Sequence, residues 1–298
     1  MKLLNDYLRE TFGCKVYKIA LNAGFTCPNR DGTLGTGGCI FCSAGGSGEF
    51  AEDAGKSITE QIDTGKARVA RKIRDGKYIA YFQAYTNTYA PAEHLRNLYM
   101  EAAGHPDIVA ISIATRPDCL PEEVLELLTE INRIKPVWVE LGLQTMHDRT
   151  AAGLNRGYAL PVFEEAVRNL KSVGIEVIVH VIFGLPGETK DDMLQTIRYL
   201  SGMVPAVDGI KIQMLNILKG TAMGERYERE PFPLLSLEEY TDLVVESLRI
   251  LPEQMVVHRM TGDGPGQLLI APDWVRNKKK VLNTIQRKLR ERTAGVRK

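Results

Sequence analysis

The sequence predicts an α/β fold, a partial (β/α)6 TIM-like barrel, on two observations. Short apolar segments alternate with helical segments from residue 77 onward, at intervals of about 30 residues, as in repeated βα units. Most of the apolar segments are rich in Val and Ile and nearly continuous in apolar character, which suits strands buried on both faces of a parallel sheet. A flat doubly wound sheet is the alternative, although the chain lacks a G-x-G-x-x-G turn after its first strand.

The elements of the predicted barrel follow from local composition. Strands are expected at residues 16–21, 78–82, 108–114, 137–141, 175–183 and 209–215. Helices between them are expected at residues 92–103, 121–134, 161–172 and 190–200. Two of these helices begin at a proline, Pro121 and Pro161, which suits the first helical turn because the N–H that proline lacks would be unpaired there.

Beyond residue 220 the βα rhythm ends. One further helix is expected at residues 238–251, followed by a loop rich in Gly, Pro and Asp with a short strand at residues 258–274, and then by a basic amphipathic helix. We therefore divide the chain into a barrel core, residues 1–220, and a C-terminal extension, residues 221–298.

Length and composition restrict the class of protein. The chain has 298 residues, of which 44% are hydrophobic and 25% charged, so it has enough apolar surface for a globular core. Five cysteines are too few for a disulfide scaffold. No apolar run approaches the ~20 residues needed to span a bilayer, and the charged N-terminal segment lacks the apolar core of a secretory signal. We therefore expect a cytoplasmic protein with reduced thiols and no membrane partner.

Positive charge is concentrated at the C-terminal end, although the whole chain has a net charge of only +1. Residues 276–298 contain ten basic residues and one acidic residue, Glu291, which gives this segment a local charge of +9. Two interpretations have equal weight: a solvated helix end, or a surface that contacts phosphates. A second basic stretch, residues 66–77, is a candidate for the same surface.

Three cysteines, Cys27, Cys39 and Cys42, lie in a glycine-rich N-terminal loop that follows the first strand. Three thiolates that can converge indicate a metal site in a cytoplasmic protein. One possibility is structural zinc, with a fourth ligand from Cys14, a distant histidine or an acid, and another is a set of unmetallated thiols. The third is an iron–sulfur cubane with one iron left open to bind a small molecule. Of the other cysteines, Cys14 and Cys119 are expected to be buried apolar residues.

Several motifs extend this pattern along the chain. They are Phe41 before the last loop cysteine, TRPD at residues 115–118, VELGLQT at 139–145, LNRG at 154–157, HVIFGLPGET at 180–189, KGT at 219–221, and the segment at 258–274. Together they resemble the radical SAM superfamily. Within it they are most similar to the YhcC/YtqA-like family, which is related to the Elongator catalytic subunit. The gap of eleven residues between Cys27 and Cys39 departs from the usual three and resembles the Elongator branch.

The resemblance implies that Cys27, Cys39 and Cys42 bind a [4Fe–4S] cluster whose open iron binds S-adenosylmethionine (SAM). It also implies reductive cleavage of SAM to a 5′-deoxyadenosyl radical, with one electron from a donor such as flavodoxin or ferredoxin. The residues that it places around SAM are Phe41, Thr86, Asn87, Gln144, Arg156, Phe183 and Leu185. Arg156 would face the SAM carboxylate, and Phe183 and Leu185 would form the wall beside the adenine. The sequence departs from the pattern after the second strand, where Gln83–Thr88 replaces a Gly-rich turn, and at Ala114, which replaces an acid.

The resemblance to the Elongator branch points to tRNA as the partner. It implies modification of the side group on carbon 5 of wobble uridine, from carboxymethylaminomethyl to aminomethyl. One alternative is a radical SAM enzyme that acts on a small metabolite or a protein, and another is a non-enzymatic RNA-binding protein with a structural metal site. The candidate substrate contacts are His258, Arg259, Lys278, Lys279 and Lys280, and the nearby aromatic residues available for stacking are Trp274, Tyr227 and Tyr240.

No residue is assigned to proton transfer, and Glu140 and His180 are the two catalytic candidates. Each also has a structural interpretation. Glu140 lies within a strand and is expected to pair inside the barrel with Arg116 or Lys211, and His180 is expected to be a hydrogen-bonded core histidine.

Overall fold

The computed structural model of the protein describes residues 2–71, 73, 76–262 and 264–295. The strands are β1 (Lys2–Leu3), β2 (Val16–Leu21), β3 (Lys77–Phe82), β4 (Ile108–Thr115), β5 (Val137–Gln144), β6 (Glu176–Phe183), β7 (Gly209–Met214), β8 (Ile217–Leu218), β9 (Val256–Arg259) and β10 (Leu269–Ala271). The helices are α1 (Leu4–Phe12), α2 (Ile58–Val69), α3 (Ala92–Gly104), α4 (Glu122–Ile134), α5 (Asp148–Gly153), α6 (Leu160–Ser172), α7 (Lys190–Ser201), α8 (Ala222–Arg229), α9 (Leu237–Ile250) and α10 (Lys278–Gly295).

Eight strands form one parallel sheet in the order β1-β9-β7-β6-β5-β4-β3-β2, curled into a half-barrel with helices outside. This confirms the α/β partial barrel. The sequence predicted six of these strands, and the described sheet adds β1 and β9 at one edge. Both are too short to give a periodic pattern. The predicted loop at residues 258–274 is therefore corrected at its start, where His258 and Arg259 belong to β9.

The inside of the half-barrel is arranged in layers because every second residue of a strand points inward. At the amino ends of the strands these residues are apolar: Val16, Ile79, Ala110, Trp138 and Ile178 pack against Leu8 of α1. Helix α1 contacts both β2 and β9, and it covers this end of the barrel. We call this set the apolar layer. Two residues further along β2, β3, β4, β5 and β6, the inward positions hold Lys18, Tyr81, Ser112, Glu140 and His180.

The other face of the sheet forms the main core with the surrounding helices. Helix α2 lies close to β2, since a Cβ added at Gly65 would be 2.4 Å from Cγ2 of Ile19. Three helices begin with reciprocal capping boxes, Ser57 with Glu60, Thr189 with Asp192, and Ser236 with Glu239. None of the helices in the described part of the chain is long and apolar enough to cross a lipid bilayer.

The basic helix that the sequence predicted is α10, which packs on α9. Its buried face contains Val281 and Ile285 and, one turn later, Lys288. Lys288 Nζ lies 2.7 Å from Glu238 Oε2 and 3.0 Å from Asp242 Oδ1, so this lysine anchors α10 to α9. Residues 296–298 of the predicted helix lie outside the described residues. The division of the chain at residue 220 stays a prediction, and β9, which follows it, pairs with β7 of the barrel.

Candidate active site

A cavity of about 400 Å³ lies at the carboxyl ends of the barrel strands, beside the glycine-rich N-terminal loop. The thiols of Cys27, Cys39 and Cys42 line it together. In parallel sheets this edge is where ligands bind, because the strand ends and their following loops converge there. The structure therefore brings the three predicted metal ligands to one place.

The first half of the cysteine loop is held by the LNRG turn. Asn29 Nδ2 donates to Asn155 O at 2.8 Å and to Arg156 O at 3.3 Å, and it lies 3.7 Å from Cys39 Sγ. In return, Asn155 Nδ2 donates to Gly38 O at 2.8 Å. Gly157 completes the turn with φ +85°, and a Cβ there would lie 2.7 Å from Asn29 Oδ1. The turn therefore requires glycine at this position.

The second half of the loop is held by the end of β3. The Arg30 guanidinium donates to Cys42 O at 3.0 Å and Ser43 O at 2.6 Å, and it lies 5.7 Å from the centre of the Tyr85 ring. Gly46 has φ +59°, and a Cβ there would lie 2.4 Å from the same ring. These contacts bring the backbone around Cys42 against the β3–α3 connection.

The chemistry of the thiols fits a metal cluster. Burial raises the pKa of Cys39 to about 11, with the neighbouring Cys42 adding to the shift and Arg116 opposing it. Burial also raises the pKa of Cys42. A bound metal must therefore displace the thiol protons. Over the described residues, no three Cys, His, Asp or Glu side chains are close enough to share a single ion, whereas a cubane takes each cysteine on a separate iron.

Two amide groups face the cavity with an unused oxygen. Gln144 has φ +67° and follows a register shift between β5 and β6, which turns its side chain toward the cavity. Its Oε1 is buried without a hydrogen-bond partner among the described residues, and so is Oδ1 of Asn216, which also lines the cavity. Buried polar atoms normally have partners. These two oxygens fit a ligand with hydrogen-bond donors, such as the ribose hydroxyls or the amine of SAM.

Arg156 is held by hydrogen bonds within the protein. Its Nη1 donates to Leu143 O and Thr145 O, both at 2.8 Å, its Nη2 to Asp148 Oδ1 and Tyr158 O, and its Nε to Tyr158 O. All five N–H groups of the guanidinium therefore have partners within the protein. In the structure Arg156 lines the cavity and fixes the backbone on both sides of Gln144, and its contact with the SAM carboxylate stays a prediction.

The apolar side chains that line the cavity are not those of the predicted Phe183 and Leu185. Phe183 points to the outer face of the sheet, where its ring centre lies 6.3 Å from that of Tyr240. Leu185 belongs to an apolar cluster behind the cavity. Ile182 and Leu215 line the cavity instead, because adjacent residues of a strand point to opposite faces.

Of the other predicted SAM contacts, two face the cavity and one is buried behind its lining. Phe41 and Thr86 line it. Asn87 is fully buried and donates through Nδ2 to Ala114 O at 2.8 Å, so it ties the β3–α3 connection to β4. Sequence reasoning missed Gln83 and Gln213, which also line the cavity. Every second residue of a strand points inward, so the inward positions of Tyr81 and Lys211 would have identified Gln83 and Gln213, each two residues further along the chain.

Glu140 lies at the floor of the cavity and is fully buried. Its Oε1 accepts from Lys18 Nζ at 2.5 Å and Ser112 Oγ at 2.6 Å, and its Oε2 contacts His180 Nε2 at 2.7 Å and Lys211 Nζ. Although burial alone would raise it, the two lysines hold the pKa of Glu140 well below its ordinary value. The predicted partner Lys211 is found, whereas Arg116 pairs with Asp118.

The burial of His180 makes stability depend on pH. Burial lowers its pKa from 6.5 to about 4, with Lys211 contributing. Between these values the unfolded chain binds a proton that the folded chain does not, so acid favours unfolding.

We expect the free energy of unfolding to fall as the pH decreases from 6.5 to about 4. His180→Gln should reduce this slope by up to about 1.4 kcal/mol per pH unit. Denaturant titrations at several pH values measure the slope, and a variant of the exposed His94, His94→Gln, is the control. An unchanged slope in His180→Gln would contradict this assignment.

The predicted substrate residues lie in two places. Arg259 lines the cavity, and His258 packs its ring edge-to-face with Trp138 at 5.6 Å. Burial holds the pKa of His258 well below its ordinary value. Lys278, Lys279 and Lys280 are exposed at the start of α10.

The aromatic residues suggested for stacking are engaged within the protein. Tyr240 is fully buried, Trp274 Nε1 donates to Leu235 O at 2.9 Å, and the ring centre of Tyr227 lies 5.1 Å from that of Phe232. Phe50, which sequence reasoning missed, lines the cavity and is 49% exposed.

A parallel half-barrel with three cysteine thiols at its carboxyl end defines a radical SAM protein. The family model described as the radical SAM superfamily matches residues 27–200, and that of the radical SAM C-terminal domain matches residues 207–291. Among curated proteins, YtqA of Bacillus subtilis (strain 168) is 49% identical over 289 residues, 97% of this chain and 89% of YtqA. YhcC of Escherichia coli (strain K12) is 39% identical over 284 residues, 93% of this chain and 89% of YhcC.

The chain therefore belongs to the YhcC/YtqA-like family of the radical SAM superfamily, and its cofactors are a [4Fe–4S] cluster and SAM. A similar solved structure is that of the archaeal Elp3 of Methanocaldococcus infernus lacking its N-terminus, residues 1–46. It superposes with a TM-score of 0.68 at 17% identity, covering 92% of this chain and 63% of Elp3. At this identity the likeness is one of fold.

Proposed function

We propose that this radical SAM enzyme modifies tRNA at the carbon-5 side group of wobble uridine, converting carboxymethylaminomethyl to aminomethyl. The main support for radical SAM chemistry is that three thiols and two unpartnered amide oxygens face the same cavity. The resemblance of the LNRG and VELGLQT motifs to the Elongator branch supports the choice of substrate. The basic outer face of α10 supports RNA as the partner.

The chain's own residues have separate tasks in this proposal. Cys27, Cys39 and Cys42 hold three irons of the cluster. The amide oxygens of Gln144 and Asn216 accept hydrogen bonds from SAM, and Ile182 and Leu215 keep water from the reacting atoms. When bound, the cluster and SAM supply the radical that removes a hydrogen atom from the substrate, with the electron coming from a donor such as flavodoxin or ferredoxin.

The proposed reaction on the substrate is an oxidative removal of the carboxymethyl group. The hydrogen atom leaves the methylene carbon between the amine and the carboxylate. Loss of a proton and of one electron to a one-electron acceptor then gives an imine. Water splits the imine into the aminomethyl group, which stays on uridine, and glyoxylate.

The surface proposed for tRNA is the exposed side of α10. A shallow groove there is lined by Asn277, Lys279, Lys280, Asn283, Thr284 and Arg287, and Arg290 continues the same side. Part of the other basic stretch is already paired with acids, since Lys66 contacts Asp63 and Asp107, and Arg68 contacts Glu52. The phosphate contacts are therefore assigned to α10.

Replacing Lys279, Lys280 and Arg290 with alanine together should weaken tRNA binding and reduce its dependence on salt. Each lost phosphate contact lowers the slope of log affinity against log salt by about 0.9 for duplex and about 0.7 for single strands, so the slope should fall by roughly two to three. Filter binding at several salt concentrations measures it. The double variant Lys66→Ala, Arg68→Ala is the control, because its charges already have acidic partners. A triple variant with the wild-type slope would rule out α10 as the RNA surface.

The proposed function is tested with anaerobically reconstituted protein, SAM, dithionite and tRNA from cells that lack the gene. We expect 5′-deoxyadenosine, glyoxylate and conversion of one accumulated uridine derivative, read by mass spectrometry of nucleosides. Formation of 5′-deoxyadenosine with no change in tRNA would favour a small metabolite or a protein as substrate. Colourless protein with one zinc per chain would favour a non-enzymatic binding protein.

A further inference from the structure

Beneath the cavity lies a set of inward residues that we call the polar layer. It consists of Lys18, Tyr81, Ser112, Glu140, His180 and Lys211, one from each of the strands β2 to β7. The apolar layer closes the barrel below it. On the other side Tyr81, Glu140 and His180 line the cavity that contains the cysteine thiols. The polar layer is therefore the floor of the active-site cavity.

The wall above this floor leaves room for a small group. Two residues beyond Ser112 and Glu140 along their strands, the inward positions are Ala114 and Gly142, and both line the cavity. Neither carries a side chain larger than a methyl group. A substituent that enters beside the cysteines can therefore reach Glu140 and His180, and Lys18 and Lys211 contact the Glu140 carboxylate.

The polar layer has more positive than negative charge. The ammonium groups of Lys18 and Lys211 share the single carboxylate of Glu140, both of whose oxygens are already used by further donors. His180 is neutral at physiological pH because burial lowers its pKa to about 4. Burial likewise lowers the pKa of Lys211 to about 7, with Glu140 opposing the shift and Lys18 adding to it.

Lys18 Nζ also donates to Ser112 Oγ at 3.2 Å, Lys211 Nζ donates to the Tyr81 hydroxyl at 3.3 Å, and aromatic rings lie beside both ammonium groups. Lys18 Nζ lies 4.9 Å from the centre of the Tyr81 ring and 5.3 Å from that of Trp138, and Lys211 Nζ lies 4.5 Å from that of Tyr81. A ring face stabilises a cation less than a carboxylate does. One additional anionic group at the floor would complete the charge balance.

We propose that the polar layer binds a carboxylate of the substrate through Lys211 and Lys18, and so directs the adjacent carbon toward the cofactor end of the cavity. This rests on the proposed function, since the carboxymethyl end of the uridine side group is such a carboxylate. The lysines are then specificity-determining residues, and Glu140 is the positioning residue that holds them.

The first test compares two anticodon stem-loop substrates, one with the carboxymethylaminomethyl group and one with the corresponding carboxamide. In the wild type we expect kcat/KM for the acid to exceed that for the amide. Lys211→Met should lower this ratio at least tenfold, Lys18→Met should lower it in the same direction, and Lys211→Arg should preserve most of it. Lys171→Met is the matched control, because it removes a lysine paired with Asp208 outside the cavity. A ratio that Lys211→Met leaves unchanged would overturn the proposal.

The second test separates this inference from the proposed function. Holoprotein with SAM and an oxidised cluster is titrated calorimetrically with N-methylglycine and with its amide. We expect the acid to bind at least tenfold more tightly than the amide, and Lys211→Met to abolish the difference. Equal binding of acid and amide would overturn the inference even if the enzyme modifies tRNA. Selective binding of the acid without tRNA modification would support the inference and contradict the proposed substrate.

Discussion

The variant Cys39→Ser is expected to lose the iron–sulfur cluster and, with it, SAM cleavage. Serine is a poor ligand for iron compared with a thiolate, and Cys39 lies at the contact between the cysteine loop and the LNRG turn, with its sulfur 3.7 Å from Asn29 Nδ2. The rate of 5′-deoxyadenosine formation should fall by more than roughly 100-fold. That is the upper end of the loss seen when a residue that only hydrogen-bonds a metal ligand is removed. Iron content, the brown colour and its bleaching by dithionite measure the cluster directly.

The matched controls are the two cysteines that lie outside the cavity lining, Cys14 and Cys119. Cys119 is 6% exposed and burial raises the pKa of its thiol, so it remains protonated and unreactive. Cys14→Ala and Cys119→Ala should keep about four irons per chain, as a cubane requires. Full iron content in Cys39→Ser, or its loss in Cys14→Ala, would contradict the assignment of the ligands.

The second large effect is expected from Gly157→Ala in the LNRG turn. Alanine at φ +85° costs about 1–2 kcal/mol of backbone strain. Its Cβ would also lie 2.7 Å from Asn29 Oδ1 and 3.1 Å from Arg116 Nη2, which adds about 1–3 kcal/mol of overpacking. We expect the free energy of unfolding to fall by roughly 2–5 kcal/mol, together with a lower yield of cluster after reconstitution.

Gly174→Ala isolates the effect of backbone strain. Gly174 has φ +75°, and a Cβ there would have no atom within 4 Å. This variant should lose only the strain term of about 1–2 kcal/mol and should load iron normally. If both variants lose equal stability and equal iron, then the contact between Gly157 and Asn29 does not hold the cysteine loop.

Much of the fold was accessible from the sequence because the signals repeat. From residue 78 onward, five of the six predicted strands recur at intervals of roughly 30 residues, and each reinforces the others. The β9 strand, Val256–Arg259, has only two apolar residues and ends in His258 and Arg259, so no local pattern distinguishes it from a loop. Its place in the sheet depends on the edge that β7 offers, which is a tertiary property.

The candidate site was accessible only in part. The three cysteines are visible because few other roles suit such a cluster of thiols in one glycine-rich loop. The hydrogen-bond partners of Arg156 could not be predicted from the sequence. Its five N–H groups donate to backbone carbonyls and to Asp148, and every residue type carries the same backbone carbonyl. The pair Ile182 and Phe183 shows a smaller error, since the choice between adjacent residues depends on which face of the strand points inward.

The hydrogen bonds from Asn29 to Asn155 O and from Asn155 to Gly38 O link metal loading to the stability of the folded chain. The same hydrogen bonds hold the cysteine loop and the turn after β5, so an iron–sulfur cluster seated on one side also secures the other. By linkage, anything that binds the native state alone opposes local opening. Under iron starvation the empty protein would open more often at this junction and be degraded sooner. Its abundance in the cell would then follow the supply of iron.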